Sequence, residues 1–196
     1  MSLVPGAGPA GHLAVRPVTR TEPTANLRLA TEADLPAIVA IYAEQLAAGL
    51  GSWEEIAPDY AAMAARFAAV RAADLPWLVA ADPDGRVLGY AHARPFRALS
   101  AYRHTVEDSI HVAAAARGQG VGRHLLDALC DVCAARGYRQ MIAVIGDARN
   151  RASIGLHEAC GFKPCGFLPG AGEKAGEPVD VVMMQRGLLS PAGGRA

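Results

Sequence analysis

A glycine-rich segment separates a strand-like stretch from a helix-like one. Residues 104–112 alternate between two kinds of side chain, as a strand with one buried face does. Residues 121–133 carry apolar side chains at helical spacing. The run between them, residues 117–122, reads Arg-Gly-Gln-Gly-Val-Gly, and its glycines allow a tight turn and a close approach to a ligand. The N–H groups at the start of the following helix would favour an anionic group such as a pyrophosphate.

Two well-known phosphate-binding patterns do not fit this segment. The nucleoside triphosphate loop requires Gly-Lys-Ser/Thr, whereas residues 122–124 are Gly-Arg-His. The dinucleotide pattern requires a first strand before its glycines and an acidic residue about 20 positions after them. A glycine-rich turn without a ligand is therefore the alternative at this point.

The order of the remaining patterns predicts one α/β domain with a mixed sheet. A capping-box sequence at residues 31–34 precedes the first helix, and Pro58 suits the start of the second. The order is strand, two helices, three strands, helix, strand, helix and two strands. Residues 1–26 and 190–196 are predicted to be tails around a domain at residues 27–189. The predicted strands are residues 27–30, 77–81, 87–96, 104–112, 141–145, 162–168 and 179–185.

Charge and hydropathy narrow the range of partners. The chain has 19 basic and 19 acidic side chains, which argues against nucleic acid because that partner requires a basic face. No run of about 18 apolar residues is present, so no transmembrane helix is expected, and the first residues lack a secretory pattern. We therefore expect a cytoplasmic protein with neither a nucleic-acid nor a membrane partner.

Two of the four cysteines, Cys130 and Cys133, have the C-x-x-C spacing of redox and zinc sites. Redox pairs of this type use a helix N-terminus to lower the thiol pKa, whereas this pair falls late in a predicted helix. No second pair or histidine cluster completes a zinc site. We expect both thiols to pack in the core, and we expect no metal.

Two motifs resemble those of the GNAT acetyltransferases. Arg117, Gly120 and Gly122 match the family pattern Q/R-x-x-G-x-G/A, and the strand 109–112 resembles the family strand that pairs with the pantetheine arm of acetyl-CoA. Residues 150–162 resemble the downstream pattern N-x-x-[AS]-x-x-L-[YH]-x-x-x-G-[FY]. The resemblance implies the GNAT fold, with a mixed sheet of about seven strands flanked by about four helices.

Acetyl-CoA is the co-substrate that this resemblance implies. The loop amides would hold its pyrophosphate, Asn150 would contact its arm, and the backbone N–H at or near Val112 would face the thioester carbonyl. The residues assigned to acetyl-CoA in this way are Ile110, His111, Val112, Arg117, Gly118, Gln119, Gly120, Val121, Gly122, Arg123, Asn150 and Ser153.

Further strings resemble one branch of the family, the phosphinothricin and methionine sulfoximine acetyltransferases. Residues 102–109 resemble its Y-x-x-T-x-E-x-S/T motif, residues 143–146 its A-V-I-G strand, and residues 53–58 its substrate-covering segment F-E-x-x-P-P. The branch implies an amino acid or an analogue as the acceptor, and a homodimer. The residues it assigns to the acceptor are Trp53, Glu54, Arg97, Tyr102, Glu107, His157 and Lys174.

Four positions depart from the pattern of this branch. Leu99 stands where amino-acid-binding members carry a second basic residue, so a partner for an acidic group on the acceptor is missing there. Glu173 stands where an aromatic side chain is usual, and Pro178 and Val179 replace a Trp-His pair. These departures leave the identity of the acceptor open.

Acetyl transfer needs a neutral amine, a donor for the oxyanion and a proton for the departing thiolate. Glu107 is the candidate general base, acting directly or through water. His157 stands where GNAT proteins often have a tyrosine acid, so it is the candidate to protonate the thiolate or to orient the acceptor. The alternatives are a solvated strand residue or a member of an ion pair for Glu107, a buried and satisfied helix residue for His157, a surface loop cation for Arg97, and a core aromatic for Trp53.

Two other functions remain open at this stage. One is acetylation of a protein or peptide, which needs an open acceptor groove. The other is a non-catalytic acetyl-CoA sensor, which would bind the co-substrate without releasing its thiol. The presence of both Glu107 and His157 favours an enzyme.

Overall fold

A computed structural model describes residues 25–49 and 53–188 of the 196-residue chain. The predicted tails, residues 1–26 and 190–196, lie outside the described residues apart from Ala25 and Asn26. The strands are β1 (Asn26–Leu29), β2 (Trp77–Ala81), β3 (Val87–Pro95), β4 (Thr105–Val112), β5 (Gln140–Gly146), β6 (Lys163–Lys174) and β7 (Glu177–Gly187). The helices are α1 (Leu35–Ala47), α2 (Tyr60–Ala72), α3 (Val121–Ala135) and α4 (Arg151–Ala159).

In the described residues the strands form one mixed sheet in the order β1-β2-β3-β4-β5-β7-β6. Only β4 and β5 run parallel, and the other neighbouring strands pair antiparallel. Gln45 of α1 reaches His111 on one face, while Gly122 of α3 lies against Val112 on the other. We call these the α1–α2 face and the α3–α4 face. The predicted mixed sheet is confirmed.

Local sequence explains how the first two helices begin. The predicted capping box forms, because the Thr31 N–H and hydroxyl both donate to the Asp34 carboxylate, at 2.8 and 3.0 Å. It opens a short 3₁₀ turn that leads into α1. The prediction that Pro58 opens α2 is wrong by two residues. The Asp59 side chain accepts from the Ala62 N–H at 2.8 Å and caps a helix that begins at Tyr60.

The last two strands are longer than the alternation of apolar side chains predicts. The expected ends at residues 168 and 179 fall short of the observed strands, which extend to Lys174 in β6 and start at Glu177 in β7. Prolines and glycines interrupt the pattern there, and the register of β6 against β7 shifts at two places. Such bulges accommodate residues that a regular strand does not.

The two cysteines of the C-x-x-C pair are free and buried, and the Cys130 thiol lies 3.6 Å from the sulfur of Met141. The expectation that both pack in the core is confirmed. Over the ranges 25–49 and 53–188, no helix has the length and apolar character needed to cross a membrane. The same ranges contain no group of three or more His, Cys, Asp or Glu side chains arranged to hold a metal ion.

Candidate functional site

The site forms where the two parallel strands of the sheet separate. β4 and β5 pair over three residues only, and Glu107 opposite Ile142 is their last pair. Beyond it β4 continues to Val112, paired with β3, while β5 continues paired with β7. The sheet therefore opens into a fork between the ends of β4 and β5.

Backbone groups of β4 face this fork. Ala113 donates its N–H to the Leu88 carbonyl at 2.9 Å, which marks a hydrogen-bonded position of the β3–β4 ladder. Hydrogen bonding alternates along an antiparallel pair, so the N–H groups of Ile110 and Val112 point away from β3 and toward the fork. This edge is suited to pairing with an extended ligand.

The glycine-rich loop lies at the end of β4. Gly118 and Gly120 have φ of 73° and 82°, a region that glycine enters without the penalty of other residues. A Cβ added at Gly118 would meet no atom within 4 Å, so the backbone is open to a close approach there. A Cβ added at Gly122 would lie 3.3 Å from Leu156 and 3.4 Å from Val112, so that glycine permits close packing of α3 on β4 and α4.

A cavity of about 620 Å³ occupies the fork and reaches the α1–α2 face. Of the residues that the resemblance assigned to acetyl-CoA, it is lined by Ile110, His111, Asn150 and Ser153. Asn150 also caps α4, because its side-chain oxygen accepts from the Ser153 N–H at 3.1 Å. Val112 and the loop residues 117–123 are not among the lining residues, so the loop stands at the outer end of the fork.

On the α1–α2 face, the buried carboxylate of Glu107 forms an ion pair with Arg94. The two residues are direct cross-strand partners on β3 and β4, and both line the cavity. The Arg94 side chain is 58% exposed, and the hydrogen bond to Glu107 uses one of its five N–H donors. Arg94 is not among the site residues predicted from the sequence. Its position opposite Glu107 in the hairpin could have been found by extending the strand register.

A second ion pair closes the other side of the cavity. Arg66 and the Tyr42 hydroxyl both donate to the Glu54 carboxylate, and the hydrogen bond from Arg66 is the main reason that the pKa of Glu54 is lowered. Burial lowers the pKa of His111 to about 4 and that of His92 to about 3, so both rings are neutral at pH 7. The cavity on this face therefore combines two cations, two carboxylates and two neutral imidazoles.

On the α3–α4 face, Asp108 forms a buried pair with His157. The ring Nε2 lies 3.1 Å from Asp108 Oδ2, and the ring Nδ1 lies 2.7 Å from the Ser153 carbonyl oxygen. Burial alone would lower the pKa of His157, but the hydrogen bond and the charge of Asp108 outweigh it and raise the pKa above its usual value. Asp108 is likewise absent from the site residues predicted from the sequence. The signal was a carboxylate on the same strand face as Val106 and Ile110.

Trp53 lies across the cavity with its ring against two glycines. A Cβ at Gly172 would be 2.4 Å from the Trp53 ring, and one at Gly146 would be 3.1 Å from it. The side chain is 42% exposed and lines the cavity, so it is not a core aromatic. The two glycines provide the space in which this ring lies.

Three residues that the resemblance assigned to the acceptor do not line the cavity. The Arg97 guanidinium stacks over Phe96 at 4.4 Å, and Tyr102 meets the edge of the same ring. Lys174 donates to the Gly49 carbonyl at 3.3 Å. Arg123, which was assigned to acetyl-CoA, forms an ion pair along α3 with Asp127 at 3.6 Å.

These features fit acetyl-CoA. The loop glycines and the first turn of α3 offer backbone N–H groups to a pyrophosphate. The free edge of β4 offers backbone groups to the pantetheine arm, and the cavity at the fork has room for a thioester and an acceptor amine.

Comparison with known proteins identifies the family. The acetyltransferase (GNAT) family profile matches residues 37–162. Phosphinothricin N-acetyltransferase of Alcaligenes faecalis is 51% identical over 162 residues, which cover 83% of this chain and 82% of that protein. L-methionine sulfoximine/L-methionine sulfone acetyltransferase of Pseudomonas paraeruginosa is 41% identical over 165 residues, which cover 84% of this chain and 95% of that protein.

A solved structure agrees with these matches. The GNAT superfamily phosphinothricin acetyltransferase of Sinorhizobium meliloti, in complex with AcCoA, superposes with a TM-score of 0.80 at 46% identity. The match covers 84% of this chain and 88% of that one. The resemblance inferred from the sequence is thereby confirmed, and the chain belongs to the GNAT family as an acetyl-CoA-dependent N-acetyltransferase.

Proposed function

We propose that the acceptor is the primary amine of an amino acid or an amino-acid analogue of the phosphinothricin and methionine sulfoximine kind. The observation that carries this proposal is the pairing of Glu107 with Arg94 in the cavity at the fork. One group can take a proton from an amine, and the other can hold an acid. The names of the relatives support the same class of acceptor.

Each step of the transfer has a candidate group in this chain. Acetyl-CoA supplies an acetyl group activated as a thioester. The neutral amine nitrogen forms the bond to the acetyl carbon, and Glu107 accepts the one proton that the nitrogen loses as this bond forms. A backbone N–H of β4 at or near Val112 stabilises the oxyanion, a contribution of about 2.7–4 kcal/mol for one donor of this type. As the carbon–sulfur bond breaks, His157 gives a proton to the thiolate.

We propose that Arg94 holds the acidic group of the acceptor, in place of Arg97. Arg94 lines the cavity beside Glu107, whereas Arg97 stacks on Phe96 away from it. Among the described residues that line the cavity, the other cation is Arg66, which donates through two nitrogens to both oxygens of Glu54. A cation at Arg94 would also compensate for the missing basic residue at Leu99.

Release of free thiol from acetyl-CoA across a panel of amines tests the proposed acceptor class. The panel contains phosphinothricin, methionine sulfoximine, ordinary amino acids, polyamines and short peptides. We expect fast release with one or more small amino acids or analogues. Release with peptides or polyamines alone would contradict the proposal, and so would tight acetyl-CoA binding with no release from any acceptor.

Matched acceptors test the role of Arg94. For the best amino acid and its primary amide, we expect Arg94→Gln to reduce the preference in kcat/KM for the acid by roughly 10- to 100-fold, the effect of one charge-assisted hydrogen bond. Arg97→Gln removes the same charge outside the cavity, and we expect the preference to remain. Loss of the preference in Arg97→Gln alone would restore the assignment made from the sequence.

We also propose that the enzyme is a cytoplasmic homodimer. Acetyl-CoA is available in the cytoplasm, and the edge strand β6 exposes Phe167 and Leu168 on its surface. Light scattering of the purified protein should give about twice the 20.4 kDa mass of one chain. A mass equal to one chain at micromolar concentration would contradict the dimer.

A further inference from the structure

The buried pair of Asp108 and His157 contains a proton that the geometry locates. The Ser153 carbonyl can only accept a hydrogen bond, so the His157 Nδ1 carries a proton toward it. The opposite nitrogen, Nε2, faces a carboxylate oxygen at 3.1 Å. That contact needs a second proton between nitrogen and oxygen. Burial alone would lower the pKa of His157, but the hydrogen bond to Asp108 and its charge raise it, which favours this proton on the ring nitrogen. With the proton on the ring, the pair is an imidazolium and a carboxylate.

Of the residues around the His157 ring, Asp108 is the one whose charge favours the doubly protonated ring. Phe162 meets the ring edge-on at 5.0 Å and carries no charge. The thiols of Cys130 and Cys133 on α3 interact with Asp108, but burial raises the pKa of both to about 12, so they are neutral at pH 7. Among the described residues, Asp108 is the charged group that acts on His157.

Packing alone does not account for such a pair. The side chains of Asp108 and His157 are 3% and 2% exposed, and Asp108 Oδ1 accepts no hydrogen bond within the described residues. A buried ion pair of this kind is often no more stable than apolar side chains of similar volume. The charges of the pair are therefore not needed to hold β4 against α4.

The position of the pair indicates what it serves. Asp108 is the first residue of β4 beyond the last pair with β5, so it stands at the apex of the fork. Its side chain points to the α3–α4 face, whereas that of Glu107 points to the α1–α2 face. Glu107 and Asp108 are thus adjacent in sequence and lie on opposite faces of β4, and both line the cavity at the fork, as His157 does.

We propose that Asp108 is a positioning residue that keeps the His157 ring doubly protonated, so that His157 can give a proton to the thiolate as the acetyl group leaves. The proposal rests on the acetyl transfer proposed above. The proton moves from an imidazolium nitrogen to sulfur, and the pair is left as a neutral ring beside a carboxylate. A proton from solvent then restores the doubly protonated ring.

Nitrogen NMR of protein labelled at histidine tests the charge state without any acceptor. His157→Gln identifies the His157 signals. We expect both ring nitrogens of His157 to carry protons at pH 7.5 in the unsubstituted protein, and the titration midpoint to fall by at least about one pH unit in Asp108→Asn. A singly protonated ring at pH 7.5, or an unchanged midpoint in Asp108→Asn, would overturn the proposal.

Asp34→Asn is the matched control for loss of a buried carboxylate. Asp34 forms an ion pair with Arg28 and does not line the cavity. We expect this variant to lose stability while the His157 signals stay unchanged. If Asp108→Asn does not fold, the measurement on the unsubstituted protein still decides the protonation of the ring.

Kinetics with two acetyl donors separate proton donation from a structural role. With acetyl-CoA, we expect Asp108→Asn to lower kcat by about 100-fold, within the usual range for general acid catalysis, and to move the alkaline fall in kcat to lower pH. With an acetyl thioester of 4-nitrothiophenol, whose thiolate leaves without protonation, the deficit should largely vanish. An equal deficit with both donors would overturn the role in thiolate protonation, whatever acceptor is used.

Discussion

Two adjacent carboxylates on β4 have different surroundings because a strand turns successive side chains to opposite faces. Glu107 meets the guanidinium of Arg94 on a half-open face, and Asp108 meets a histidine in the interior. The alternation of the sequence predicted the face that Glu107 shares with Ser109 and His111. The partners of the two carboxylates, Arg94 and His157, could not be predicted from this alternation. Arg94 lies beside Glu107 because of the strand register, and His157 lies beside Asp108 because of the way α4 packs on the sheet.

At this scale the first prediction concerns Glu107→Gln. The amide keeps the shape of the side chain but cannot accept a proton from the amine, so we expect kcat to fall by about 10²- to 10⁴-fold with an unchanged Kd for acetyl-CoA. Thiol release and equilibrium binding measure the two quantities. Unchanged turnover between pH 6 and pH 9 would remove Glu107 from the mechanism.

The strand–loop–helix unit was predictable from the sequence because its signals are local. Residues 104–133 contain all three signals: the alternation of a strand, glycines that adopt positive φ, and the apolar spacing of an amphipathic helix. The fork was not predictable from local pattern, because it depends on β4 and β5 ceasing to pair after Glu107. The lengths of β6 and β7 were underestimated because bulges interrupt the local sequence pattern of these strands, whereas the pairing between the strands continues through the bulges.

The loop assignment is tested by Gly120→Val against Gly137→Val. Both glycines have a left-handed conformation, with φ of 82° and 86°, so each substitution strains the backbone by a similar amount, about 1–2 kcal/mol. We expect Gly120→Val to abolish acetyl-CoA binding in calorimetry and Gly137→Val, at the far end of α3, to preserve it. Equal affinity in the two folded variants would refute the assignment.

The covering role of Trp53 is tested by Gly172→Ala. The added Cβ would lie 2.4 Å from the ring and must displace it, whereas a Cβ at Gly166 on the same strand meets Met183 at an ordinary 3.4 Å. We expect Gly172→Ala to raise KM for the acceptor roughly tenfold, or about 1.4 kcal/mol, and to shift tryptophan fluorescence. Gly166→Ala should change neither quantity, and a normal KM in Gly172→Ala would show that Trp53 does not cover the acceptor.

For the molecule as a whole, the sequence predicted the class of fold, the order of elements and the family. It did so because these properties follow from periodicity and from motifs that span most of the domain. The side chain beside Glu107 was not predicted, since Arg97 and Tyr102 contact Phe96 and Arg94 takes the position next to Glu107. Side-chain direction in a loop depends on neighbours that the loop sequence does not specify.

Global stability should depend on Asp34 in acidic solution. Hydrogen bonds from Arg28, aided by Thr31, lower the pKa of Asp34 to about 2, against about 3.9 in an unfolded chain. The folded pKa is the lower one, so this carboxylate contributes roughly 2 kcal/mol above pH 4 and loses that contribution as pH falls through 2. Urea unfolding of Asp34→Asn should show the deficit at pH 7 and a progressively smaller one below pH 4. A deficit that does not vary with pH would contradict this account.

The alternation of β4 at the fork also restricts how the gene for such a protein can change length. Inserting or deleting one residue before Glu107 would reverse the parity of the strand and exchange the faces of the two carboxylates. Glu107 would then lie on the α3–α4 face and Asp108 on the α1–α2 face, each away from its present partner. The β6–β7 ribbon already contains two register shifts and lies at the edge of the sheet. Single-residue insertions and deletions should therefore accumulate in that ribbon among descendants, while the length of β4 is inherited unchanged.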